Sequence, residues 1–166
     1  MSDSHTNGSG TESGQPGGPA PLMHFETVII GTGFAGLLAA IRLQKARCDD
    51  FVLLEQQSGL GGTWWDNRYP GAQVDVPAPA YAFSFAPNPN WRQRFADASE
   101  IHAYQMALAE KHGLFARLRL GTRLSDARFD EATGLWHFRT AAGDTLTARY
   151  FVCSTGPLSQ PRWPDI

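Results

Sequence analysis

The six residues Gly31-Thr32-Gly33-Phe34-Ala35-Gly36 carry the spacing G-x-G-x-x-G, which brings backbone rather than side chains up to a ligand. Gly31 makes a tight turn, Gly33 lets the main chain approach a pyrophosphate, and Gly36 lets a helix pack closely on a strand. The free N–H groups and positive end of a helix opening near Phe34 then face that pyrophosphate. Glu55 stands nineteen residues after Gly36, where a carboxylate can accept a hydrogen bond from a ribose hydroxyl. Together these residues suit the ADP half of a dinucleotide.

Units of this kind serve NAD and FAD alike, so the choice between them rests on other residues. Ser58-Gly59-Leu60-Gly61-Gly62-Thr63-Trp64 follows the acidic position, and its glycines let backbone pass close to a cofactor while aromatic side chains such as Trp64 could flank a flat ring. The segment Thr147 to Gly156 is an apolar strand ending in Ser154-Thr155-Gly156, whose small side chains leave room at the carboxyl edge of a sheet. Taken singly, the first reads equally as a turn and the second as a buried strand end; their order after Glu55 favours FAD.

The run from Gly62 to Asp75, Gly-Thr-Trp-Trp-Asp-Asn-Arg-Tyr-Pro-Gly-Ala-Gln-Val-Asp, resembles the [AG]GxWxxxx[FY]P[GM]xxxD motif of flavin-dependent Baeyer–Villiger monooxygenases. Tyr81-Ala82-Phe83-Ser84-Phe85, Phe129 to Gly134 and Ser154 to Ser159 resemble the same family, and the likeness runs from Phe25 to Ile166. It implies an enzyme that uses FAD, NADPH and O₂ to insert oxygen into a ketone. By resemblance Gly31, Gly33, Ala35 and Gly36 meet the pyrophosphate and Glu55 the adenosine ribose. Gly62, Thr63, Trp64, Asp66, Tyr81, the backbone near Leu124, Thr155 and Gly156 hold the rest of the FAD. Asp75 corresponds to the carboxylate close to the flavin that orients an active-site arginine, and is the one catalytic candidate. The related N- or S-oxygenating flavin monooxygenases, and a non-catalytic dinucleotide-binding fragment, are the alternatives. The family also has a second Rossmann unit for NADPH and an FxGxxxHxxxWP signature, neither of which occurs in the 166 residues. The expectation is therefore an FAD-binding domain over residues 23–166, incomplete relative to the full enzyme and inactive alone.

The elements that must position these residues are legible as a βαβ unit. Phe25 to Ile30 reads as a buried strand, Phe34 to Arg47 as an amphipathic helix, and Phe51 to Leu54 as a second strand. Ser58 to Pro89 reads as a long Gly/Pro- and aromatic-rich loop, and Ser99 with Glu100 as the start of a helix to about His112, closed by Gly113. Its apolar face is Ile101, Tyr104, Leu108 and Ala107. Leu118–Leu120, Ala127–Phe129, Trp136–Thr140 and Thr145–Ala148 read as strands with turns that suggest antiparallel pairing, and Tyr150–Cys153 as a final buried strand. The fold class is α/β: a Rossmann-type domain, a parallel sheet with helices, carrying a small antiparallel excursion. Residues 1–22, rich in Ser, Gly and Pro, lack the apolar surface to order themselves and read as a disordered leader.

Composition narrows the function classes. A formal net charge of −2, with 14 basic residues scattered along the chain, gives no reason to expect nucleic acid or an anionic membrane. No apolar run approaches the ~20 residues that span a bilayer. Cys48 and Cys153 fit no metal or redox spacing, the five histidines form no metal constellation, and Cys153 reads as a small buried hydrophobe. A cytoplasmic protein with no metal site is the expectation.

Overall fold

The computed structural model describes residues 22–159 and 162–166. Residues 1–21 of the expected leader, 1–22, lie outside them, and Leu22 precedes the first strand.

One six-stranded sheet organises the chain, in the order β3-β2-β1-β6-β5-β4. Strand β1 (Met23–Ile30) is flanked by β2 (Phe51–Leu54) and β6 (Thr145–Cys153), both parallel to it, with Ile30 opposite Leu54 on one side and Cys153 on the other. Successive side chains of a strand point to opposite faces, and both faces here are apolar. Ile29, Phe51 and Leu53 pack with Leu37, Ala40 and Ile41 of helix α1 (Phe34–Lys45). Val28, Val52 and Leu54 pack on the other face with Phe138, Leu146 and Ala148. Full burial of each large side chain contributes about 1.5–3 kcal/mol. Burial on both faces explains why these strands are continuous hydrophobic runs.

The antiparallel part supplies the second face. Strands β4 (Leu124–Asp130) and β5 (Leu135–Thr140) form a hairpin, and β5 pairs antiparallel with the first half of β6. Phe151 sits against Trp136 and Phe138, with ring centroids 5.0 and 5.2 Å apart. The two segments expected as Thr145–Ala148 and Tyr150–Cys153 are thus a single strand. Its first half pairs with β5 and its whole length with β1, so the polar Arg149 between them is an outward-facing residue, not a break. Strand β3 (Leu118–Arg119) is parallel to β2, not antiparallel, since Leu53 and Leu54 pair with Leu118 and Arg119. Ala127–Phe129 is the centre of the longer β4.

Helix α1 stops at Lys45, two residues before the expected end. Arg47 takes a left-handed conformation (φ 60°), with Cys48 N–H donating to Leu43 C=O and Arg47 N–H to Gln44 C=O. That hydrogen-bond pair is a Schellman ending with arginine where glycine is usual. Helix α3 (Ala98–Lys111) begins one turn-defining residue earlier than Ser99 suggests: the Asp97 carboxylate accepts the Glu100 N–H at 2.9 Å and caps the helix. Ile101, Gln105, Leu108 and Ala109 form its buried face, whereas Ala107 is exposed.

The long loop is an ordered platform. It contains a one-turn helix α2 (Thr63–Asp66) and a 3₁₀ turn over Ala78–Tyr81. Val74, Ala78, Ala96 and Ile101 form a third buried cluster, against which Phe34, Trp64, Tyr81 and Trp91 pack. Among the described residues no helix is long and apolar enough to cross a membrane.

Candidate functional site

Strand β1 lies at the point where the chain order reverses: β2 goes to one side of it and β6 to the other. The crevice beyond the carboxyl ends of such strands is where α/β sheets bind ligands. The Gly31–Gly36 turn fills that position. Gly31 has φ 93°, its N–H donates to Leu54 C=O at 2.8 Å, and a Cβ on it would lie 2.4 Å from Ser154 O. A Cβ on Gly36 would lie 1.9 Å from Gly31 O, so only glycine lets α1 begin this close to the strand end. Gly33 caps α1 without a side chain, and a Cβ there meets only Gly62 Cα, at 3.7 Å. No acidic residue occupies the first turn of α1, and its first N–H groups have no intrahelical acceptor. The result is an anion-attracting helix start next to a backbone with no side chain in the way.

Two hollows flank this turn and share Asp66, Thr155 and Ser159 as common wall. The first, about 340 Å³, is lined by Gly31, Glu55, Gln57, Arg123, Leu124, Phe151 and Cys153 among others. The second, about 290 Å³, is lined by Gly33, Phe34, Ala35, Gly61, Thr63, Trp64, Tyr81 and Gly156 among others. They form a two-lobed groove across the carboxyl edge of β1, β2 and β6, with the helix start at its waist.

Most of the sequence-derived residues meet here. Gly31, Glu55, Asp66, Leu124 and Thr155 line the first lobe, and Gly33, Ala35, Thr63, Trp64, Tyr81 and Gly156 the second. Gly36 and Gly62 act from behind: Gly62, at φ 56°, lies so near the turn that a Cβ on it would be 2.9 Å from Gly33 Cα. Asp75 is exposed and lines neither lobe; it stands between Val74 and Ala78, both buried. The adjacent tryptophans separate in role. Trp64 lines the groove, with Tyr81 edge-on at 5.4 Å, while Trp65 packs beneath Gly59 with the Arg68 guanidinium 4.3 Å over its ring.

The acid at the end of β2 is more constrained than its position alone suggests. Glu55 is 5% exposed, and its Oε2 accepts both the Thr32 N–H (2.9 Å) and the Thr32 hydroxyl (2.7 Å). Its Oε1 accepts the Gln57 N–H at 2.9 Å. Asp66, where the lobes meet, has its carboxyl raised above its ordinary value by burial and by the Glu55 charge, with Arg68 pulling it down. Sequence reasoning passed over Thr32; the signal was a hydroxyl-bearing residue inside the glycine turn facing a strand-end acid. It also placed Cys153 in the core, but that thiol is exposed and lines the first lobe, because β6 has run past the cover of the β4–β5 hairpin by its last residue. Both cysteines are free and exposed. Among the described residues no group of three or more His, Cys, Asp or Glu is arranged to hold a metal.

Comparisons with known proteins agree with this geometry. Residues 29–98 match the family model of NAD(P)-binding Rossmann-like domains. The chain is 45% identical over 143 residues to a Baeyer–Villiger monooxygenase of Streptomyces coelicolor, a match covering 86% of this chain and 27% of that protein. It is 37% identical over 147 residues to the phenazine N-monooxygenase PhzNO1 of Lysobacter antibioticus, covering 86% and 27%. Among solved structures it is similar to an oxidised steroid monooxygenase bound to NADP, with TM-score 0.80 at 37% identity over 86% of this chain and 28% of that one. It is also similar to OTEMO in complex with FAD and NADP, with TM-score 0.79 at 31% identity over 90% and 28%. Three of these four are monooxygenases by name, and the fourth is a complex with FAD and NADP. The chain spans little more than a quarter of their length.

Proposed function

We propose that this chain is the FAD-binding portion of an NADPH-dependent flavoprotein monooxygenase that inserts oxygen into ketones. The observation that carries the reading is the two-lobed groove over the glycine turn, with Glu55 in one lobe and the Trp64–Tyr81 pair in the other.

The residues fit the cofactor. The first N–H groups of α1 would hold a diphosphate across Gly33, where no side chain intervenes. Glu55 in the first lobe would hold the ribose of the ADP half, and Thr63, Trp64 and Tyr81 in the second would hold the ribityl and ring half. Held there, FAD would supply the redox chemistry between NADPH and O₂. The protein's own part is to bind and orient: the helix start fixes the diphosphate, and the aromatic wall excludes water from one side of the ring. Asp75, exposed beside this platform, is the carboxylate we assign to holding an arginine in position at the reacting centre. NADPH, O₂ and the ketone are the partners of the whole enzyme. Its place is the cytoplasm, which supplies NADPH and keeps thiols such as Cys48 and Cys153 reduced.

The likeness to a phenazine N-monooxygenase favours one second reading, oxygenation at nitrogen. Product analysis with ketone and amine substrates separates the two. The direct test of the first reading adds FAD to the chain, removes excess by gel filtration and records flavin absorbance, then follows NADPH with a ketone. Co-eluting flavin without ketone-dependent NADPH consumption is the expected result. A chain that retains no flavin contradicts the assignment, and coupled turnover contradicts its restriction to cofactor binding.

A further inference from the structure

Resting on the FAD reading above, we infer that His102 of α3 is a positioning residue for the flavin half of the cofactor. It holds the Leu60–Gly62 turn, which places Thr63 and Trp64 at the second lobe. Its Nε2 lies 2.9 Å from the Leu60 carbonyl oxygen. A carbonyl only accepts, so Nε2 carries the proton and donates it. Among the described residues no other donor reaches that carbonyl. Leu60 is 3% exposed, so water has little access in place of the imidazole. The ring also fills the space beside the turn: a Cβ on Gly61 would lie 2.7 Å from His102 Cδ2, and the Trp65 ring stands 5.6 Å from the imidazole.

The turn has few other ties, and α2 hangs on it. Gly61 N–H donates to Thr32 C=O at 3.2 Å, and Gly62 lies against Gly33. The carbonyls of Gly61 and Gly62 accept the N–H groups of Trp64, Trp65 and Asp66, which closes the single turn of α2. One turn is too short to be stable by itself, and none of the four residues of α2 is buried. Helix α3 is firmly seated, with Ile101, Gln105, Leu108 and Ala109 buried and Asp97 capping it. His102 passes that rigidity to the turn. It lines neither lobe, so it acts without touching the ligand. The ADP half would rest on the Gly31–Gly36 turn and Glu55, at the ends of β1 and β2, apart from this support.

The experiment is calorimetric titration of the chain with FAD and with ADP, for the parent and three variants. A glutamine amide reaches the place of Nε2, an asparagine amide only that of Nδ1. His102→Leu and His102→Asn lose about tenfold in FAD affinity, as expected for one hydrogen bond, while ADP stays within about twofold of the parent. His102→Gln keeps both affinities. A merely structural role would weaken FAD and ADP alike, so the ratio of the two separates the cases. Equal losses for both ligands, unchanged FAD affinity in His102→Leu and His102→Asn, or a His102→Gln that behaves like His102→Asn, overturn the inference while leaving the FAD reading in place. If the unaltered chain binds no FAD, the cofactor reading falls and this inference with it. Should His102→Leu fail to fold, the glutamine and asparagine variants still decide the matter.

Discussion

Gly33 and Gly36 belong to the same motif, yet the structure assigns them opposite sensitivities. A methyl on Gly36 would sit 1.9 Å from the Gly31 carbonyl oxygen. It must retreat by about 1.5 Å to reach ordinary contact, and the atom it meets is backbone that cannot swing away. Alanine gains about 1 kcal/mol of helix propensity over glycine, but overpacking of this kind costs about 1–3 kcal/mol or more. Gly36→Ala therefore lowers stability and shifts the start of α1 away from the groove. A methyl on Gly33 meets only Gly62 Cα, at 3.7 Å, on a backbone at φ −69° and ψ −169° that alanine also adopts. Its folding cost is the poorer helix cap, up to about 1 kcal/mol. The methyl stands where the diphosphate must approach, and losing one or two charge-assisted hydrogen bonds weakens ADP by about 10–100-fold. Urea unfolding and calorimetric titration of both variants measure the two quantities separately. Gly33→Ala binding ADP like the parent, or Gly36→Ala unfolding at the parent's midpoint, would refute the reasoning.

Three further outcomes are expected. Asp66, raised by burial and Glu55, loses its charge progressively as pH falls from 7 towards its ordinary range, so affinity for ADP-ribose, whose diphosphate keeps its charge there, rises by about threefold; Asp66→Asn binds more tightly at pH 7 and removes the trend. Asp97 is lowered by the Ser99 hydroxyl and the Glu100 N–H, so its contribution is present above its ordinary 3.8 and is lost as pH falls through the lower folded value. Asp97→Ala accordingly costs about 0.5–2 kcal/mol at neutral pH in chemical unfolding, and the difference from the parent shrinks in acid. Arg47→Gly relieves the left-handed ending of α1 and raises the melting temperature, with a gain of about 0.5–1 kcal/mol.

What could be read in advance follows from the range of the interactions involved. The βαβ unit was legible because its strands are buried on both faces and its glycine spacing encodes a local backbone shape, from Gly31 to Gly36. The groove was legible because Glu55, the Gly59–Gly62 cluster and Ser154-Thr155-Gly156 all lie at strand ends, which the topology brings to one edge. Pairing partners were not, since whether Leu118–Arg119 runs parallel or antiparallel depends on where the sixty-odd intervening residues, helix α3 among them, return it. The unity of β6 was hidden by Arg149, polar because it faces solvent. The exposure of Cys153 was hidden because local hydrophobicity does not tell where the covering hairpin stops. The Thr32–Glu55 pair joins residues twenty-three apart, beyond the reach of any local pattern.

On the proposed reading, the N–H groups at the start of α1 hold a dinucleotide diphosphate at the waist of the groove. Nitrogen-15-resolved NMR of the chain titrated with ADP tests it most directly. The amides of Gly31 to Gly36 and of Gly61 to Thr63 should shift, with those of the Glu131–Gly134 turn unmoved. Binding that shifts the β4–β5 hairpin and leaves Gly33, Phe34 and Ala35 unchanged would contradict the account.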